Sequence, residues 1–218
     1  MRCRLRAAGL LCGDKLEANS NTSEPKKLLE RLGIAPIDPV RDPNAFAEIQ
    51  GISRRLRQSG HRSIGFVPAD DRTGAIAIAV QIALATSQLY EWTGNVLDAN
   101  FVCPQFSQLP DLSNVPVDAL GLRTMWIAER VTLSTPATPA STLVFADIAC
   151  VMERAKSRYD FVFVDLTGVA RWGEQHSAYD LVDGVAVVAV ARKTLERDIL
   201  ECSDEIPPER RLGVVLIG

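Results

Sequence analysis

The sequence predicts an α/β fold, with a mostly parallel sheet and helices on both of its faces. Short apolar segments recur with helical patterns between them, at 63–67, 95–99, 123–129, 160–165, 184–191 and 212–217. This alternation is typical of parallel strands joined by right-handed crossover helices. The segments are apolar on both faces, as expected where helices cover both sides of a sheet.

The domain organisation follows from the composition along the chain. Residues 1–45 are rich in Asn, Ser, Pro and charge, with one short helical pattern in EPKKLLERLG. We predict a poorly ordered leader with a short helix there. Residues 46–218 are predicted to form a single domain that begins with the helix NAFAEIQGISRRLRQSG, which ends at Gly60. A chain of 218 residues that is 47% hydrophobic can bury a sizeable core.

Composition excludes several classes of function. With 24 basic and 27 acidic residues the net charge is -3, so nucleic-acid binding is not expected. The five cysteines are scattered without the spacing of a disulfide framework or a zinc site. No apolar run approaches the roughly 20 residues of a membrane span. We expect a cytoplasmic protein with reduced thiols and no direct membrane insertion.

The segment after the first strand, PADDRTGAIAIAVQIALA at 68–85, resembles a phosphate-binding loop that leads into its helix. A working loop uses backbone amides to cradle phosphate, a lysine to reach the β and γ phosphates and a hydroxyl to hold magnesium. Gly74 is in place, but Ala75 stands at the lysine position and Ile76 at the hydroxyl position. Both functional groups are missing from the sequence.

The charges of this loop also oppose phosphate. Asp70 and Asp71 are acidic, and Arg72 is the one basic residue of the loop. A lysine–phosphate contact contributes roughly 4 kcal/mol at an effective dielectric of about 20, and its loss from a transition state slows a reaction about a thousandfold. An alternative interpretation is a buried helix whose alanines allow close packing. The predicted degenerate nucleotide site comprises Asp71, Arg72, Thr73, Gly74, Ala75 and Ile76.

Two aspartates end predicted strands, Asp98 in NVLDANFVCP and Asp165 in YDFVFVDLTG. The carboxyl ends of parallel strands meet at one edge of a sheet, where ligands bind. Beside a phosphate loop, such carboxylates can bind Mg²⁺ through water or orient a nucleophile. An aspartate at a strand end also commonly caps the following segment. Asp98 and Asp165 are therefore the candidate catalytic and magnesium-binding residues only if a nucleotide binds.

From about Asn44 onward the chain resembles the bacterial tyrosine kinases (BY-kinases) of capsule and exopolysaccharide export, within the MinD/ParA group of deviant P-loop ATPases. The motifs that carry the resemblance are RSIGFVPADDRTGAI, NVLDANFVCP, YDFVFVDLTG, VDGVAVVAV and LGVVLI. The resemblance implies a P-loop NTPase-like fold. It places Asp98 at the first aspartate of the second phosphate-site motif, Asn100 at the second, and Asp165 at the Walker B aspartate.

The sequence also departs from this family. Its kinases assemble through an ExxRxxR pattern, whereas this chain has Glu48, Gly51 and Arg54 at those positions. The kinases phosphorylate a tyrosine-rich tail, but none of the three tyrosines here follows the last predicted strand. If Gly218 is the natural end, the usual autophosphorylation is excluded.

Three functions are compatible with these residues. The leading hypothesis is a catalytically impaired BY-kinase-like protein, a cytoplasmic regulatory or scaffolding partner of the cytosolic segment of an inner-membrane polysaccharide co-polymerase. Through that partner it would be peripheral to the membrane, and homo-oligomers are compatible with the resemblance. The second is an active atypical ATPase or tyrosine kinase that uses Arg72 in place of the lysine. The third is a MinD/ParA-like positioning protein. No cofactor is expected in the first case, and ATP or ADP with Mg²⁺ in the others.

Overall fold

The computed structural model describes residues 40–70, 74–100, 104–106, 114–137, 145–167 and 178–218, and the single residues 30, 34, 37 and 112. The helices bounded within these ranges are α1 (Pro43–Gln58), α2 (Ala75–Tyr90), α3 (Phe145–Arg158) and α4 (Glu196–Glu205). The strands are β1 (Ser63–Pro68), β2 (Gly94–Asp98), β3 (Leu122–Ala128), β4 (Val131–Pro136), β5 (Phe161–Asp165), β6 (Gly184–Val190) and β7 (Arg211–Ile217).

The strands form one sheet in the order β3-β4-β2-β5-β1-β6-β7. All neighbouring strands are parallel except β3 and β4, which are antiparallel. The predicted α/β class with a mostly parallel sheet is confirmed. The order places β1 between β5 and β6, so that the loop after β1 begins at the middle of the sheet edge.

The β3–β4 end of the sheet differs from the prediction. The segment predicted at 123–129 does form a strand, but it runs antiparallel to β4, which the sequence pattern missed. The sequence of β4, VTLSTP, is rich in hydroxyl side chains, yet all six of its residues are buried. A buried strand without an apolar run escapes recognition because hydrophobic periodicity is the primary signal for strands. At this edge the mostly parallel sheet therefore contains an antiparallel pair of strands.

Two apolar clusters cover the two faces of the sheet. One joins α1 and α2 to side chains such as Ile64, Phe66 and Phe163, and it includes eight buried apolar residues of α2. The other packs α3 and α4 against side chains such as Val162 and Val164 of β5. Since β5 contributes alternate residues to both clusters, the sheet lies between two helical layers.

The N-terminal part of the chain also reaches the core. Ile34 is buried in the cluster formed by α1 and α2, and Ile37 packs against that cluster. The boundary predicted between residues 45 and 46 stays a prediction. Farther along, the guanidinium of Arg57 lies over the rings of Tyr90 and Trp92, at 4.2 and 5.4 Å from their centroids. This cation–π contact ties the end of α1 to the end of α2.

No helix in the described residues is long and apolar enough to cross a bilayer.

Gly94, at the start of β2, allows a close approach that a larger residue would prevent. A Cβ atom built on Gly94 would overlap the ring of Phe161 on the neighbouring strand β5. In contrast, a Cβ on Gly51, inside α1, would meet no atom within 4 Å. Packing therefore requires glycine at position 94, whereas a larger side chain would fit at position 51.

We expect Gly94→Ala to lower the free energy of unfolding by about 1–3 kcal/mol, because the added methyl overpacks a buried site. The matched control Gly51→Ala is expected to raise it by about 0.5–1 kcal/mol, because alanine favours a helix interior. Urea denaturation followed by circular dichroism measures both. Equal effects of the two substitutions would contradict the packing at β2 and β5.

Candidate functional site

The two strand-end aspartates lie side by side at the carboxyl edge of the sheet. β2 and β5 are adjacent and parallel, and their register pairs Asp98 directly with Asp165. Both side chains are fully buried. Because neighbouring strands are about 4.8 Å apart, the two carboxyl groups share one small region of low dielectric. The structure thus brings together the two acidic residues that the sequence singled out.

The carboxylate of Asp98 is largely engaged by the protein itself. Its Oδ1 accepts a hydrogen bond from the backbone N–H of Asn100 at 3.1 Å. Its Oδ2 accepts from the N–H groups of Gln105 and Phe106 at 2.8 and 3.4 Å and from Oγ1 of Thr135 at 3.3 Å. Asp98 therefore organises the start of the segment after β2, a capping role of the kind that strand-end aspartates often take.

Within the described part of the chain, Asp165 accepts hydrogen bonds on one of its two carboxylate oxygens. Its Oδ1 accepts hydrogen bonds from the backbone N–H and the hydroxyl of Thr167. Its Oδ2 is buried and has no hydrogen-bond partner among the residues that the structure describes. An unbonded carboxyl oxygen in an apolar environment favours the neutral, protonated acid or a bound positive group.

Burial changes the protonation of both acids. Burial raises the pKa of Asp98 from 3.8 to about 6, although the hydrogen bonds from Asn100, Phe106, Gln105 and Thr135 lower it. Burial raises the pKa of Asp165 to about 7; the hydrogen bonds from Thr167 lower it, and the charge of Asp98 raises it further. Near neutral pH the pair therefore carries less than its full charge of two.

At the start of α2, the residues at the two phosphate-loop positions face the core. Gly74 is the N-cap of α2 and is exposed, whereas Ala75 and Ile76 are 0% and 2% exposed. Both belong to the cluster that packs α1 and α2 on the sheet. The other predicted loop residues, Asp71, Arg72 and Thr73, lie outside the described residues. The six loop residues stay predictions as a nucleotide site.

The entrance of the loop is bonded to the segment after β6. Oγ1 of Thr194 donates a hydrogen bond to Oδ2 of Asp70 at 2.6 Å and accepts one from the backbone N–H of Val190 at 2.9 Å. In addition, the N–H of Ala69 donates to the carbonyl of Val188 at 2.9 Å. The protein's own carboxylate and hydroxyl thus hold this end of the loop in place.

The fold implies ATP with Mg²⁺ as a ligand, but the described residues do not fit one. Ala75 and Ile76 offer neither a cation for the phosphates nor a hydroxyl for the metal. Mg²⁺ is usually held by one or two carboxylates together with substrate phosphates. Of the carboxylate oxygens of Asp98 and Asp165, Oδ2 of Asp165 is the one that has no hydrogen-bond partner among the described residues. Among the described residues, no three His, Cys, Asp or Glu side chains form a metal-binding group.

Sequence reasoning missed the partners of the acidic pair. Thr135 lies on the unpredicted strand β4, and its bond to Asp98 depends on the order of strands in the sheet. The bond between Thr194 and Asp70 joins residues 124 positions apart. Thr167 was accessible to prediction, because an aspartate followed two residues later by threonine is a common turn pattern.

No protein-family model matches the chain, and no curated protein matches it in sequence. Solved structures do match. The chain is similar to the BceF tyrosine kinase domain, with a TM-score of 0.64 and 16% identity over 90% of this chain and 89% of that one. It is also similar to the kinase domain of the Escherichia coli tyrosine kinase ETK, with a TM-score of 0.63 and 15% identity over 84% and 80% of the chains.

A ParA family ATPase from Chlorobium tepidum TLS is a third similar structure, with a TM-score of 0.52 and 21% identity over 71% of this chain and 73% of that one. The resemblance to BY-kinase and MinD/ParA proteins that the motifs indicated is thereby confirmed at the level of fold. At such low identities the likeness concerns the fold alone. The chain has the P-loop NTPase-like fold that bacterial tyrosine kinase domains share with ParA-type ATPases.

The raised pKa values predict an unusual dependence of stability on pH. In the folded protein Asp165 keeps its proton up to about pH 7, whereas in the unfolded chain it ionises near 3.9. The folded state therefore binds more protons between these values, and stability must fall as pH rises from about 4 to about 7.

We expect Asp165→Asn to be more stable than the unaltered protein at pH 8, by on the order of 2 kcal/mol, and nearly equal to it at pH 4. Urea denaturation at both pH values measures this. Asp204→Asn is the control, because the Asp204 side chain is 80% exposed and should change stability by less than about 0.5 kcal/mol. A difference at pH 8 no larger than that of the control would refute the burial argument.

Proposed function

We propose that this chain is a catalytically impaired relative of the BY-kinases, which acts as a regulatory or scaffolding partner of a membrane polysaccharide chain-length or export protein. The single observation that carries the proposal is the state of the phosphate-loop positions. The kinase-like fold is intact, while the residues at the lysine and hydroxyl positions, Ala75 and Ile76, are apolar and buried in the core.

The hydrogen bonds at the sheet edge support the same proposal. Phosphoryl transfer depends on positioning and on positive charge around the phosphates. Here the carboxylate of Asp98 accepts four hydrogen bonds from the protein, and the Asp70 carboxylate is bonded by Thr194. These side chains stabilise the loops without a ligand. Carboxylates that take part in catalysis in an active kinase would in this way stabilise the local structure instead.

The partner is proposed from the resemblance. The resemblance implies that kinases of the BY family work with the cytosolic part of an inner-membrane co-polymerase, and two of the structures similar to this chain are tyrosine kinase domains. A chain that kept the kinase-like fold without kinase activity would still have a surface that can bind the cytosolic part of the co-polymerase. Its localisation would be cytoplasmic, and peripheral to the inner membrane through the partner.

A second candidate is an atypical ATP-dependent tyrosine kinase or ATPase of exopolysaccharide biosynthesis. The observation that favours it is the buried Oδ2 of Asp165, which lacks a bond in the described part of the protein. A magnesium-bound water would satisfy this oxygen if ATP were held by residues 71–73. Nucleotide binding distinguishes the two candidates.

The first test is calorimetric titration of ATP and ADP, with and without Mg²⁺, into the protein and into the Ala75→Lys/Ile76→Thr variant. We expect no binding by the unaltered protein, because the groups that compensate phosphate charge are missing. The double variant should be less stable alone, since both positions are buried, and should regain stability with ATP if the cradle is otherwise intact.

Ala77→Lys serves as the matched control for this experiment. It adds the same charge to the same turn of α2 at a half-buried position, and it should not respond to ATP. Micromolar binding by the unaltered protein, abolished by Asp165→Ala, would overturn the impaired-kinase proposal and support the second candidate. This outcome does not depend on whether the double variant folds.

The second test is co-purification with the cytosolic segment of the membrane co-polymerase. We expect a complex without added nucleotide, under conditions in which an authentic BY-kinase also binds its regulator. The Asp165→Asn variant should bind equally well, because the proposed role does not use the acidic pair. Absence of a complex, while the authentic kinase forms one, would remove the partner from the proposal.

A further inference from the structure

A concave site lies between α3 and the β2-β4-β3 end of the sheet. It is a cavity of about 40 Å³. The residues that matter for its chemistry are Asn95, Thr124, Ser134, Asp118, Arg154 and Arg158. We refer to this site as the arginine cleft. It is on the face that packs α3, and Asn95 stands three residues before Asp98 on β2, so the cleft is separate from the acidic pair.

The floor of the arginine cleft is a network of polar side chains on a buried sheet face. Nδ2 of Asn95 donates hydrogen bonds to the hydroxyls of Thr132 and Ser134 at 2.9 and 2.8 Å. The hydroxyls of Thr124 and Ser134 are 2.8 Å apart and bonded to each other. Asn95, Thr132 and Ser134 are all buried. A face that only packed against a helix would be apolar, because buried polar groups are costly and add no packing.

The rim of the cleft carries an excess of positive charge. Arg154 and Arg158 are one turn apart on α3 and both are exposed. Arg154 is 3.6 Å from Oδ2 of Asp118, while Oδ1 of Asp118 accepts hydrogen bonds from the N–H groups of Leu120 and Leu122. Within the described ranges Arg158 makes no ion pair. The cleft is thus lined by two arginines and one aspartate, which leaves one net positive charge.

We propose that the arginine cleft binds an oxyanion group of the size of a carboxylate or a phosphate. Guanidinium groups bind both anions through paired N–H donors. Because the hydroxyls of Thr124 and Ser134 share one hydrogen bond, one hydroxyl hydrogen of this pair remains as a further donor at the floor. A water needs about 10–15 Å³ of such space, so a cavity of this size holds a group of a few non-hydrogen atoms and is too small to enclose a whole nucleotide. Asp118 competes with the anion for Arg154.

The test is an NMR titration of the ¹⁵N-labelled full chain with inorganic phosphate and with acetate, following the amide signals of α3. Arg158→Gln should weaken binding of the anion by about threefold, as expected for an exposed charge contact. Asp118→Asn should tighten binding by a similar factor, because it frees Arg154 while keeping the Oδ1 acceptor for Leu120 and Leu122. Arg197→Gln is the control, since this arginine is 75% exposed on α4, away from the cleft.

Opposite changes in Arg158→Gln and Asp118→Asn, with no change in Arg197→Gln, support the proposal. Equal weakening by Arg197→Gln, or no shift of α3 signals with either anion, overturns it. Ala155→Leu provides an independent check, because Ala155 lines the cleft and a larger side chain fills it without changing charge; binding should be lost while the protein stays folded.

The anion can come from a small molecule or from an acidic side chain of another protein. Titration with the peptide acetyl-Gly-Glu-Gly-amide separates these sources. Binding of the peptide at least as tight as that of acetate assigns the cleft to an acidic segment of a protein. Binding of the free anions alone assigns it to a small molecule.

Discussion

The parallel pairing of β2 with β5 is the constraint on which the site depends. It places two carboxyl groups in register at the centre of the sheet edge, where both are fully buried. Their mutual repulsion and the loss of water must be offset, and the protein does so with hydrogen bonds to Asp98 and with a proton on Asp165. These bonds hold Asn100, Gln105 and Phe106 after β2 and Thr167 after β5, so the local fold at this edge depends on the protonation of the pair.

Most of the fold could be predicted from the sequence because the central strands are recognisable from their own residues alone. The apolar runs of β1, β5 and β6 and the aspartates at the strand ends are visible without knowledge of the partners. β4 was missed because Thr132, Ser134 and Thr135 are buried by hydrogen bonding to other strands, such as that from Asn95 to Thr132. The bonds from Thr135 to Asp98 and from Thr194 to Asp70 likewise depend on strand order, which no local pattern shows.

The centre of the sheet and its β3–β4 end are buried by different kinds of contact. Around β1 and β5 the core is apolar on both faces, and glycine allows close packing. At β3 and β4 one face is polar, and under α3 side-chain hydrogen bonds join Asn95, Thr124, Thr132 and Ser134. Nε1 of Trp126 is buried on this face without a hydrogen-bond partner among the described residues. A buried polar network contributes less stability than apolar packing unless every member is bonded. Binding of an anion in the arginine cleft would give this polar face a function in addition to packing.

In the proposed role, the phosphate-loop positions are an example of a fold that is kept after its catalytic groups are lost. A lysine at position 75 would lie against the core cluster and would need a bound anion to compensate its charge, whereas alanine packs there at no such cost. In the proposed role this exchange has a functional consequence. The loop entrance is held by Asp70 and Thr194 rather than by a nucleotide, so the surface presented to a partner does not change with the supply of ATP. A scaffold of this kind would act constitutively, and its control would have to come from the amount of protein or from ligands bound elsewhere on its surface.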